Sequence, residues 1–472
     1  MACVQAREGP PTFASVTVDL SALSPLHERI AAEVGPEAAE LVVRFVTETM
    51  DRAARRLDDG TMYLVTGDIP AMWLRDSATQ VLPLLRLGAY CPDAEQFVAD
   101  VLRRQLSFIA LDPYANAFNA GPTGAGHQRD RTEMSPHVWE RKYEVDSLCY
   151  PLYLAERFWR RTGRTDVFDA SYWRAVERSL DTWEIEQDHE ARSGYRFQRR
   201  FARSSGTLAR GGRGKPVAVT GMTWSAFRPS DDACVYNYNV PGNMFASLVL
   251  AGLPEIAEAT EVTELGAVGE VAKLGAVGEA AGLGEAAEVG GITPSAESAL
   301  SERATRLREA IEHGLREHAV IDDPVTGPRW AYEVDGLGGV LEMDDANVPS
   351  LLSLPRLGYC QTDDPLYMAT HAFILSPRNP YYYRGSAAAG IGSPHTPRRH
   401  VWPIALAMAA LTDPDEAAKR AAVTTILETR GGTDRIHESF HADRPDRWTR
   451  RWFSWAEATF CDLVLDCCGF AP

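Results

Sequence analysis

The 472-residue chain is short of several things, and each shortage closes a route. It has no basic excess: 48 Lys and Arg against 65 Asp and Glu leave a net charge of −17. Nucleic acid and anionic membrane surfaces repel such a chain, so neither is an expected partner, and a neutral substrate fits. No run of eighteen apolar residues occurs, which argues against a transmembrane helix. The opening MACVQAREGPPTFASV lacks the apolar core of a signal peptide, so a cytoplasmic location is expected unless a leader is missing. The eight cysteines (Cys3, Cys91, Cys149, Cys234, Cys360, Cys461, Cys467, Cys468) form no C-x-x-C pair. They read as buried thiols of a reducing compartment, not as zinc ligands or a disulfide framework. His395, His400, His437 and His441 lie near one another in sequence, yet no H-E-x-x-H or Cys/His ligand spacing is present. No metal and no cofactor are therefore expected. Strand-like alternation is scarce as well.

What is present is a set of amphipathic helix patterns separated by polar, aromatic loops. The densest stretch is TGDIPAMWLRDSATQVLPLL (66–85), which holds Asp68, Met72, Trp73, Arg75 and Asp76. Ala78, Val81, Leu82 and Leu85 then fall on one helical face. Asp76 is placed to cap that helix, Gly88 to end it and Pro83 to kink it. An indole beside carboxylates and a guanidinium suits a sugar, whose apolar face stacks on the ring while its hydroxyls meet the charges. A capped helix with a surface Arg–Asp pair would use the same letters.

Helices are expected over 36–57, 94–110, 141–159, 168–187, 296–318, 363–373, 400–411 and 414–429, with one more at the C-terminus. Residues 1–25 look irregular. Residues 195–215 are basic and read as a solvated loop in preference to an RNA-binding arm. A second dense stretch, TGMTWSAFRPSDDACVYNYNVPGNMFASLVL (220–250), carries Trp224, Arg228, Asp231, Asp232 and Asn243 ahead of an apolar helix ending near Leu250. Residues 265–291 repeat with leucines at 265, 274 and 283 and lack the Asp of calcium-binding nonapeptides. They read as a flexible insert. The phrase YEVD occurs at Tyr143–Asp146 and again at Tyr332–Asp335, which fits a repeated helix pair. The expected fold is all-α, an (α/α)6 barrel built as a toroid of six helix hairpins. It would form one domain over 26–472, with the low-complexity insert at about 260–295.

Hydrolysis of a glycoside needs two carboxyls flanking the scissile bond. The loop carboxyls are Asp68 and Asp76, the pair Asp231 and Asp232, and Glu438. Adjacent Asp231 and Asp232 can raise one another's pKa, although Asp-Asp is also a common helix cap. Glu438 lies in a Gly-flanked loop beside His437.

The motifs TGDIPAMWLRDSATQ, YEVDSLCYPLYL, TGMTWSAFRPSDDAC, LEMDDANVPSLLSLP, GIGSPHT and HESF, in this order, resemble glycoside hydrolase family 125 from about residue 36 to the C-terminus. The resemblance implies an (α/α)6 barrel and an exo-acting α-1,6-mannosidase. It also implies inversion at the anomeric carbon without a metal, on a mannose-containing oligosaccharide. It puts the general acid at Asp231 or Asp232, with Asp231 preferred, and the general base at Glu438. Arg75, Asp76 and the His395 loop match segments lining the mannose pocket. Asp68, Trp73, Arg228, Asn243 and His437 complete the expected substrate-binding set. Alternatives from the residues themselves are another inverting barrel glycosidase, such as a glucosidase or trehalase-like enzyme, or a non-catalytic glycan-binding protein.

Overall fold

The computed structural model describes residues 21–275, 294–325 and 327–471. Among them are twelve α-helices of eight residues or more. Five are largely buried where described: Leu74–Val81, Val145–Thr162, Val240–Gly275, Pro403–Leu411 and Ser454–Cys467. Ser454–Cys467 packs on Leu74–Val81 and Pro403–Leu411; Leu74–Val81 packs on Val145–Thr162, which packs on Val240–Gly275. The short turn Leu354–Leu357 packs on Val240–Gly275. Together these elements form the inner wall. Amphipathic helices such as Pro36–Thr47, Ala94–Leu111, Ala170–Glu186 and Glu416–Glu428 lie outside it, each with one apolar stripe inward. This is the expected toroid.

Local chemistry sets the helix ends. Asp169 accepts from the Ser171 and Tyr172 N–H groups, Asp364 from Leu366 and Tyr367, and Asp415 from Ala417. Gly163 stops Val145–Thr162 at φ 70°.

Several expectations need correction. The helix of the dense stretch begins at Leu74, so Asp76 does not cap it; Trp73 occupies the cap position with extended backbone. Asp76 sits in the first turn, where the helix dipole favours a carboxylate. Pro83 changes the helix type: the chain continues as 3₁₀ turns over Leu82–Arg86. Pro36–Thr47 ends ten residues early, in a π-turn, because Ala54–Arg56 pairs with Met62–Leu64 as a hairpin. Ser24–Glu33 is a helix inside the segment read as irregular.

Strands of two to six residues were hidden in the loops, too short to show alternation. The helix expected to end near Leu250 runs on to Gly275; the rest of the repeat lies outside the described residues. Its Val240–Thr260 part is long and apolar enough to cross a membrane by composition, yet 78% of its apolar window is buried inside the protein, as an inner helix must be. The second YEVD is a strand, not a repeated helix start. The basic stretch is pinned by carboxylates, with Arg199 on Asp130 and Glu140 and Arg210 on Glu190. The seven described cysteines are free thiols, six of them buried.

Candidate active site

One end of the inner wall is covered by the loops that enter its helices, and a narrow cleft opens among them. Its lining comes from far-separated parts of the chain: Trp73, Arg75 and Asp76, then Asp231, Asn347 and His395, then Glu438, Arg450 and Trp455.

The first wall is the start of helix Leu74–Val81. Strand Met72–Trp73 pairs with Ala117–Phe118, which pairs with Val138–Glu140, and this small sheet fixes the direction in which the helix leaves. Gly67 bridges to Phe453 at φ 144°; a Cβ there would stand 2.9 Å from the Trp452 carbonyl oxygen, so only glycine lets the two loops meet. Arg75 is fully buried. Its Nη1 donates to Glu144 Oε2 at 2.8 Å and Asp146 Oδ2 at 2.9 Å. Nε lies 3.5 Å from Asp76 and Nη2 3.9 Å from Asp231. Its guanidinium also stands over the Trp455 ring at 5.2 Å. Burial pushes Asp76 up to about 6, against the pull of Arg75.

The second wall is the turn Arg228–Asp231, closed by the Asp231 N–H on the Arg228 carbonyl at 2.9 Å. Asp231 has φ 63°, a left-handed conformation uncommon outside glycine. The turn is over-determined: Arg228 N–H donates to the Asp232 carbonyl at 2.8 Å, and Lys142 Nζ to the Asp231 carbonyl at 2.8 Å. In consequence the two neighbouring carboxyls face different spaces. Asp231 lines the cleft with its side chain 28% exposed and accepts from Asn116 Nδ2 at 3.2 Å. Burial opposes its ionisation, but Lys142, Arg75 and His395 outweigh that and hold it below the usual carboxylate range. Asp232 turns away. Its Oδ1 meets His395 Nδ1 at 3.5 Å, and it borders a separate cavity of about 450 Å³. Burial disfavours a charge on His395, but Asp232 prevails and raises the imidazole to about 9.

The third wall is a hairpin. Glu438 immediately precedes strand Ser439–His441, which pairs with His400–Val401 and Arg444–Thr449. Arg450 closes the hairpin and places Nη1 3.7 Å from Glu438 Oε1, while its Nε donates to Asp68 Oδ1 at 3.0 Å. In the cleft region Trp73 Nε1, Arg75 Nε and Asp76 Oδ2 are buried without hydrogen-bond partners among the described residues.

Of the residues singled out from sequence, Trp73, Arg75, Asp76, Asp231, His395 and Glu438 meet in this cleft. Five others do not line it. Asp68 holds Arg450 from the rim. Asp232 stands behind His395. Arg228 is buried against Glu333. Asn243 accepts from Thr223 N–H and donates to the Thr223 and Asn239 carbonyls, which makes it a brace at the start of Val240–Gly275. His437 stacks on Trp448 at 4.1 Å and contacts the Thr433 hydroxyl. Sequence reading missed Arg450, Asn347, Glu144, Lys142 and the tryptophans 402 and 455. Glu144 had a signal, since it stands at the start of a buried helix, as the Trp73–Asp76 group does. Arg450 had none among its neighbours Arg447 and Arg451.

The four histidines do not form one cluster: His395 faces Asp232 and His437 packs on Trp448, while His400 and His441 meet across the strand pair with ring centroids 5.8 Å apart. Among the described residues no group of three or more His, Cys, Asp or Glu could hold a metal ion.

A helical toroid whose loops gather carboxyls, arginines and tryptophans in one cleft defines a glycoside hydrolase. The chain belongs to the metal-independent alpha-mannosidase family GH125, whose profile matches residues 35–465. A Streptococcus pneumoniae structure shares 41% identity, covering 97% of this chain and all of that one, with a TM-score of 0.86. It is described as one of a family of metal-independent alpha mannosidases, in a non-productive complex with alpha-1,6-mannobiose. The meiotically up-regulated gene 157 protein of Schizosaccharomyces pombe is 34% identical over 421 residues, 85% of this chain and 76% of that protein. A bacterial glucoamylase in complex with acarbose shares the fold at 11% identity and a TM-score of 0.54, over 94% of this chain and 56% of that one.

Proposed function

We propose that the protein is an exo-acting α-1,6-mannosidase that removes terminal mannose from oligosaccharides with inversion and without a metal. The observation that carries the mechanism is the meeting of Asp231 and Glu438, 207 positions apart, in one narrow cleft. The α-1,6 linkage is supported by the mannobiose in the Streptococcus pneumoniae relative.

The terminal mannose enters against Trp73 and Trp455. Arg75 and Asp76, which both line the cleft, offer donors and acceptors for its hydroxyls. Asp231 protonates the leaving oxygen. Asp231 is favoured over Asp232 because it borders the cleft, whereas Asp232 is committed to His395. Glu438 takes the proton of a water attacking the opposite face, and Arg450, 3.7 Å away in the same cleft lining, orients the Glu438 carboxylate. An inverting pair stands about 6.5–9.5 Å apart, leaving room for that water.

Incubation with α-1,6-mannobiose, followed by NMR of the first sugar released, tests this reading. β-Mannose is expected first. α-Mannose first would mean retention and make the carboxylate opposite the acid a nucleophile. No release from mannobiose, with turnover of another linkage, would overturn the assigned specificity.

A further inference from the structure

The acid side of the cleft holds more carboxyls than cations. Asp76, Asp130, Glu140, Glu144, Asp146 and Asp231 form one largely buried network through contacts with Arg75, Lys142 and Arg199. Asn116 bridges Glu140 and Asp231, donating to them at 3.1 and 3.2 Å. Six carboxyls face the three cations that contact them, while His395 and Arg450 act from a greater distance and have carboxylate partners of their own. Burying that surplus of negative charge unprotonated is prohibitive, so the network keeps protons.

The geometry shows where one of them sits. Glu144 is fully buried at the entry to helix Val145–Thr162. Its Oε2 is saturated, accepting from Arg75 Nη1 at 2.8 Å and from the Ser147 hydroxyl at 2.9 Å. Its Oε1 is buried and receives no donor among the described residues. Glu144 and Asp231 are neighbours on one guanidinium: Arg75 Nη1 holds Glu144 at 2.8 Å and Nη2 lies 3.9 Å from Asp231. Two carboxylates side by side repel; one proton between them converts the contact into a short hydrogen bond.

We propose that Glu144 is the positioning residue of the acid: it holds on Oε1 the proton that keeps Asp231 loaded for delivery to the leaving oxygen. The inference rests on the reading of Asp231 as the general acid. Burial raises Glu144 well above the carboxylate range while the surrounding cations depress Asp231, as expected for a pair sharing one proton. In the reaction the proton passes from the pair to the glycosidic oxygen as its bond to C1 breaks and that oxygen takes the electron pair. Water bonds to C1 and gives its proton to Glu438. Glu438 then releases a proton to solvent, and the Glu144–Asp231 pair takes one up.

The test compares Glu144→Gln and Asp231→Asn with the unaltered enzyme on α-1,6-mannobiose and on an activated aryl α-mannoside. Glutamine keeps an acceptor for Arg75 and Ser147 but cannot pass a proton on. Glu144→Gln is expected to lose roughly 10²–10⁴-fold in kcat on mannobiose, with less loss on the aryl substrate and little change in KM. Its alkaline limb moves to lower pH, because Asp231 must then hold its proton alone against Lys142, Arg75 and His395, with Asp76, Glu140, Asp146, Arg199 and Glu438 unchanged around it. Near-unaltered turnover and pH limbs in Glu144→Gln, with Asp231→Asn inactive on mannobiose, overturn the proposal and leave the acid in place. Full mannobiose turnover by Asp231→Asn overturns the acid assignment itself. Should Glu144→Gln fail to fold, infrared spectra of the unaltered enzyme at neutral pH decide. A protonated-carboxyl band that shifts in Asp231→Asn is expected, and its insensitivity to that change rejects the shared proton.

Discussion

Tyr143–Asp146 and Tyr332–Asp335 spell the same four letters and bury their glutamates equally deeply, yet the two glutamates live differently. Each holds an arginine from one of the two dense loops: Glu144 holds Arg75, and Glu333 holds Arg228. Glu333 is matched one to one. Its Oε1 takes Arg228 Nε, and its Oε2 takes the N–H groups of Val235 at 2.8 Å and Tyr236 at 2.9 Å. Glu144 shares its arginine with Asp76, Asp146 and Asp231 and keeps an oxygen without a donor among the described residues. The backbone differs to match, since one glutamate opens a helix and the other lies in a strand pairing with Tyr238–Asn239 and Val340–Leu341. A saturated carboxylate is a fastener. An under-supplied one holds a proton, and that makes it chemically useful.

The largest test of this contrast is stability. Glu333→Gln leaves the Arg228 charge buried without a carboxylate and is expected to cost about 3–5 kcal/mol, read as a drop in urea midpoint. Glu144→Gln exchanges one neutral group for another and should move the midpoint far less. Equal losses in the two variants would erase the distinction.

Next in size is substrate capture. Arg75→Ala should lower kcat/KM on mannobiose by about 1–3 kcal/mol, the worth of charged hydrogen bonds. Arg228→Ala should act mainly through folding. Kinetics of a well-folded Arg75→Ala that match the unaltered enzyme would return this arginine to a purely architectural role.

Asp169 belongs to neither network and supplies the scale. Asp169→Ala removes a helix cap and should cost about 1 kcal/mol of stability without altering kcat. A catalytic defect there would show that any loss of stability disturbs the cleft, and would blur the comparison above.

The last test is a drift with pH. The folded protein raises His395 from 6.5 to about 9 through Asp232. Its contribution to stability is therefore complete below about pH 6.5 and is lost as pH rises through about 9. Thermal melting followed across that window should fall more in the unaltered protein than in His395→Ala. Parallel curves would remove the charged pair from consideration.

The helical periods, the ring architecture and six residues of the cleft were legible because each leaves a local mark: an apolar stripe, a turn, or an aromatic among carboxyls. The remainder depends on distant partners. Nothing near Arg228 announces that Glu333 will absorb it, and nothing near Asp232 announces His395. Short strands such as Met72–Trp73 are specified by pairing across 40 or more positions, so no alternation could reveal them. Asn243 looked like a sugar ligand because it stands beside the right letters; its amide is spent on backbone groups.

Trp455 is a wall with two sides. One side borders the cleft; the other borders a cavity of about 490 Å³ deeper along the barrel, lined by Leu82, Arg86, Tyr150, Arg356 and Asp462. Trp455 is the residue that lines both spaces. Trp455→Gly would join the two spaces, and a glycan chain could then thread through the ring instead of stopping at its end. Such a variant would be recognised by products longer than one sugar, and their absence would mean that the passage closes elsewhere. The variant thus asks whether this one side chain is what keeps the enzyme to chain ends.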